Sequence, residues 1–185
     1  MYGRRYLLMH VKAKKVAALG LLAAFSVLLI SLGAIFEVST LFFICGAAFC
    51  VGIAVREWGI RYGAAFLVAS FLAGLIVAPN KVYCITYGAM GLYLLLSEML
   101  FHKIAASGQL NHGTRNLWIG RYLIFNVMYV PALIFVPQLF VTRKIEGALW
   151  AIVWAAGQVG LWIFEKAHDY FQLFVWNKLR KYVIR

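Results

Sequence analysis

Long apolar runs separated by short polar connections dominate the chain. The runs are Val16 to Phe36, Ser39 to Val55, Tyr62 to Val77, Val82 to Leu100, Tyr122 to Phe140 and Ala148 to Phe164. Each approaches the roughly 20 residues that one helical crossing of a bilayer requires. They are continuously apolar rather than alternating, and in hydrocarbon a helix satisfies each backbone amide within its own segment. The pattern predicts an all-α, polytopic transmembrane helical bundle of about six spans, with residues 1–164 as a single domain. The remaining residues, 165–185, mix Phe171, Phe174, Val175, Trp176, Leu179, Tyr182 and Val183 with Lys178, Arg180, Lys181 and Arg185. They read as a basic amphipathic helix on the cytoplasmic lipid surface, as an extension of the sixth span, or as an ordinary basic tail.

Composition agrees. Of 185 residues, 64% are apolar and 13% charged, and a soluble domain of this size cannot hide so much apolar surface. The lipid bilayer is therefore an expected partner. The first apolar run exceeds a signal-peptide core of roughly 7–15 residues and lacks an Ala-x-Ala exit, so it reads as a retained span.

A net charge of +12 in a soluble protein would suggest nucleic acid. Here the basic residues sit between apolar runs, where they set topology and meet anionic lipid, and no nucleic-acid partner is expected. Fifteen of the 18 Lys and Arg residues fall in the N-terminal segment, the second and fourth connections and the C-terminal segment, leaving Lys81, Arg143 and Lys144 opposite. This bias predicts a multi-pass cell-membrane protein with both termini in the cytoplasm.

Catalytic patterns are lacking. The sequence has no Gly-x-Ser-x-Gly, His-Glu-x-x-His or phosphate-binding loop. Its six acidic residues are dispersed, and His10, His102, His112 and His168 all fall on the cytoplasmic side without metal spacing. Cys45, Cys50 and Cys84 read as small packing residues. A non-enzyme without metal or cofactor is the expectation.

Polar groups within spans are costly and mark candidate sites. Glu98, near the end of the fourth span, reads as an interfacial partner of His102 or Lys103, and Arg121 as a snorkelling residue at the start of the fifth. Asn126 lies deeper, on one face with Tyr122 and Tyr129, and is expected to bond across to another helix. Pro131 and Pro137 should bend or interrupt the same helix. Trp150, Trp154, Gln158 and Trp162 recur every four residues along the sixth span. Tyr83 and Tyr87, beside Asn80 and Lys81, begin the fourth. Asn80, Lys81, Tyr83, Tyr87, Trp154 and Gln158 are thus the candidate lining of an outward-facing small-molecule pocket. An aromatic interface belt is the plainer alternative.

Small residues recur at four-residue spacing: Ala13, Ala17, Gly20 and Ala24 in the first span, Gly46 with Cys50 and Ala48 with Gly52 in the second, and Ser70 with Gly74 in the third. They let helix backbones approach closely, for internal packing or for docking a partner.

The basic N-terminus running into Ala13-x-x-x-Ala17 and Gly20-x-x-x-Ala24, the Gly59-Ile60-Arg61-Tyr62-Gly63 turn, Pro79-Asn80-Lys81 followed by Tyr87-Gly88, and Arg121-Tyr122 with Phe125-Asn126 together carry a family likeness. The chain resembles the substrate-binding S component of energy-coupling factor vitamin transporters over roughly residues 12–164. The resemblance implies a bacterial inner-membrane protein that binds a vitamin-like nutrient from outside. It further implies that the first helices meet a membrane T subunit driven by separate ATPases. A non-catalytic anchor or scaffold subunit of a larger complex is the competing expectation.

Overall fold

The computed structural model describes residues 2–36, 39–106, 110–135 and 149–183. Pro137, Arg143, Lys144 and Arg185, named above, lie outside the described residues. Every element among them is helical: α1 (Tyr2–Ile35), α2 (Thr40–Trp58), α3 (Ile60–Val77), α4 (Lys81–Ala106), α5 (Leu110–Phe135), α6 (Leu149–Tyr170), a π-helical turn (Phe171–Trp176) and α7 (Asn177–Val183). Five stretches are long and apolar enough to cross a membrane: Ala13–Ile35, Thr40–Trp58, Ile60–Val77, Lys81–Ala106 and Arg115–Phe135. The chain is therefore an all-α, multi-pass membrane protein. Helix α6 has the length for a sixth crossing, at 22 residues. It carries three tryptophans, Gln158 and a polar end from Glu165. Helix α5 continues through Pro131 rather than ending there.

Two compact units divide the chain, one formed by 1–95 with 171–185 and the other by 96–170. In the first, α2 is the central helix: every residue from Ala47 to Val55 is buried, so it is enclosed by neighbours on all sides. Small residues make this possible. Ser26 of α1, fully buried, donates to Leu22 O at 3.0 Å and lies 3.5 Å from Ala47 O of α2. A Cβ on Gly74 would sit 3.5 Å from both Cys84 and Ile30, which places α1, α3 and α4 in mutual contact. Gly59, with φ of 91°, makes the turn between α2 and α3 in a conformation that favours glycine. One turn on, a Cβ on Gly63 would lie 2.2 Å from Val55 Cγ2, so the two helices cross where only a hydrogen fits.

The C-terminal segment docks within this same unit. Trp176 Nε1 donates to Glu57 Oε1 at 2.9 Å, and Arg180 Nε lies 3.1 Å from the same oxygen. Phe171 packs on Phe49 with ring centroids 5.4 Å apart, and Gln172 and Trp176 are buried. The polypeptide stays helical from α6 through the π turn into α7, so the segment extends the sixth helix. It is anchored on α2 through one carboxylate. Arg180 is largely exposed, so its ion pair contributes little, at most about 1 kcal/mol. Glu57→Ala should accordingly leave α1 to α3 protected in hydrogen exchange while amides of 171–183 exchange faster. Unchanged exchange there would mean that aromatic packing alone holds the segment.

Candidate functional site

Within the second unit, α5 and α6 are joined by a ladder of polar contacts. At its upper rung, Asn126 and Gln158 pair through their amides. Asn126 Nδ2 donates to Gln158 Oε1 at 3.2 Å and Gln158 Nε2 donates to Asn126 Oδ1 at 2.9 Å. Trp154 Nε1 also donates to Asn126 Oδ1, at 3.2 Å, and Tyr129 OH donates to Val153 O at 2.8 Å. The Tyr129 ring is stacked on Phe125 and lies against Gly157, where a Cβ would come within 2.5 Å of it. Asn126 therefore does bond across to another helix. In a membrane, interhelical contacts of this kind contribute about 0.6 to 2 kcal/mol each.

The lower rung is charged and lies about 10 Å away along α6, at 1.5 Å per residue. Arg121 Nη1 meets Glu165 Oε2 at 3.0 Å, with the Glu165 side chain fully buried. Arg121 Nε donates to Ser97 Oγ at 3.0 Å, and Ser97 Oγ lies 3.4 Å from Glu165 Oε1. Three helices, α4, α5 and α6, thus meet at one closed triangle. The Arg121 guanidinium also sits 5.6 Å from the Trp118 ring centroid, a cation–π contact one turn earlier on α5. One turn beyond Glu165, His168 is buried and Asp169 partly so, and ligand atoms of Glu165, His168 and Asp169 all lie within 4.8 Å of one another.

This centre departs from the sequence expectations in two respects. Arg121 is not at a helix end: α5 begins at Leu110, which places Arg121 three turns in and buried. Glu98 is buried too, while His102 and Lys103, one turn on, are exposed. The spacing Glu165-x-x-His168-Asp169 was present as a signal, at i, i+3 and i+4 on one helix face.

The expected pocket residues fall in different units. Asn80, Lys81, Tyr83 and Tyr87 belong to the first, and Trp154 and Gln158 to the second. Tyr87 is fully buried, and its hydroxyl lies 2.6 Å from that of Ser70. Asn80 Oδ1 accepts from Val82 N at 3.0 Å, capping α4, and Lys81 Nζ donates to Leu75 O and Ala78 O at the end of α3. Tyr83 is half-buried. Trp154 keeps 48% of its surface exposed while its indole nitrogen is fixed on Asn126. Trp154 and Gln158 are brought together on Asn126 Oδ1.

The small-residue motifs also divide. Those of α2 and α3 pack inside the first unit, as described. Ala13, Ala17, Gly20 and Ala24 of α1 are all exposed, and a Cβ on Gly20 would meet nothing within 4 Å.

Fold and site together define a multi-pass helical membrane protein with a buried polar centre between α4, α5 and α6. Comparison with protein-family models, curated proteins and solved structures finds no match.

Proposed function

We propose that the chain is a non-catalytic, solute-binding subunit of a membrane transporter, of the S-component type. It would dock through α1 to a membrane T subunit coupled to ATPases. The observation that carries this reading is the bare face of Ala13, Ala17, Gly20 and Ala24. Small residues at this spacing let two helices approach closely, and among the described residues all four are exposed, with nothing within 4 Å of a Cβ on Gly20. In the proposed topology six helices cross the cell membrane, and the charge bias puts both termini in the cytoplasm. The solute is a small vitamin-like molecule. Its contact residues in the second unit are Trp154, which offers ring surface, and Gln158 with Asn126, which offer amides.

The test begins with the purified full chain in detergent, screened for thermal stabilisation by a panel of vitamins. A ligand at 100 times its Kd stabilises by about 2.7 kcal/mol. One vitamin should raise the unfolding temperature, and Trp154→Ala should remove the shift while the chain stays folded. Gly20→Leu should preserve the shift but abolish cellular uptake of that vitamin. A second reading, an anchor subunit of a larger complex, draws on the internal engagement of Tyr87, Asn80, Lys81 and Gln158. It predicts no vitamin shift, tolerance of Trp154→Ala, and loss of a partner in Gly20→Leu.

A further inference from the structure

The geometry points to a site for one divalent first-row transition-metal ion at Glu165, His168 and Asp169. Each residue offers a ligand atom, and the three lie within 4.8 Å of one another. They occupy positions i, i+3 and i+4 of α6 and so share one face. Glu-x-x-His at this spacing is how helical bundles aim a carboxylate and an imidazole at one ion. Burial separates the cluster from acidic groups scattered over a surface: Glu165 is 0% and His168 1% exposed.

Glu165 is steered from two other helices. Arg121 holds Oε2 and Ser97 approaches Oε1, which is the role that outer partners play for a ligating carboxylate. A carboxylate presents about four acceptor positions, so these contacts are compatible with a metal bond from the same group. Arg121 faces Glu165 from α5, and Asp169 brings a second carboxylate within reach of the imidazole, a donor set that suits a divalent cation. The imidazole decides which cation: hard ions such as Mg2+ and Ca2+ take oxygen ligands, whereas Zn2+, Co2+ and Fe2+ accept nitrogen beside carboxylate. An ion here would tie the end of α6 to α4 and α5 through Glu165, so binding should raise stability as well.

The full chain, purified in detergent and stripped with EDTA, is titrated with Co2+, whose visible absorption reports coordination by protein ligands. One Co2+ per chain should bind, be displaced by one Zn2+ and resist displacement by Mg2+. His168→Ala should abolish the signal. Asp169→Asn, a conservative change at a half-buried position, should weaken binding by about tenfold or more in a chain that still folds. Absence of the Co2+ signal in the parent chain overturns the site, as does equal binding in a folded Asp169→Asn chain.

Discussion

Arg121→Ala is expected to destabilise the protein by about 3–5 kcal/mol, the cost of leaving a buried partner charge uncompensated. The size follows from Glu165. Its side chain is fully buried and its Oε2 faces the guanidinium at 3.0 Å, and the Ser97 hydroxyl, 3.4 Å from Oε1, is too distant to take the place of that ion pair. The guanidinium also links Ser97 to Glu165, so its removal loosens α4 and α6 from α5 together. Denaturant unfolding in detergent or nanodiscs should show the loss. The double variant Arg121→Met with Glu165→Met should recover most of it, because apolar groups of similar volume often replace a buried ion pair at little cost. A single variant within about 1 kcal/mol of the parent would mean that water reaches Glu165 and screens it.

Gly63→Ala is the second large effect, at about 1–3 kcal/mol of overpacking. The added methyl would lie 2.2 Å from Val55 Cγ2 and 3.2 Å from Val55 Cα. The first contact is relieved if the valine side chain moves. The second involves backbone of the central helix, which moves only by widening the α2 to α3 crossing. Gly63→Ala combined with Val55→Ala should therefore restore part of the stability, and Val55→Ala alone should cost less than Gly63→Ala. Full rescue by the double variant would show that the crossing itself is free to open.

The helices themselves were legible in the sequence because hydrocarbon leaves continuous apolar segments no other way to satisfy their backbones. Their ends were not. That rule is silent beyond the hydrocarbon, where α1, α4 and α5 continue through residues such as Lys14, Lys103 and Arg115. With the fifth apolar run starting at Tyr122, Arg121 reads as a helix-end residue, which hides its burial against Ser97 and Glu165. The sixth apolar run likewise stops at Phe164, one residue before Glu165, so His168 and Asp169 read as part of a tail.

Packing partners were equally invisible. Gly74 and Gly20 carry the same spacing signal, yet one lies against Cys84 and Ile30 and the other against nothing. Only three-dimensional neighbours distinguish a crossing from a free face. Asn126 was the exception, since an amide deep in a span has few alternatives to bonding across to another helix.

The docking of the C-terminal segment on Glu57 sets an order of assembly during synthesis. Gly63 meets Val55 and Ser26 meets Ala47 across short stretches of chain, so the first three helices can associate as soon as they emerge. Trp176, by contrast, lies 119 residues from Glu57. Until translation reaches it, the Glu57 carboxylate has neither the indole nor Arg180, and the first unit stays incomplete while the whole of the second is made. Closure of the first unit thus reports that the second has been synthesised.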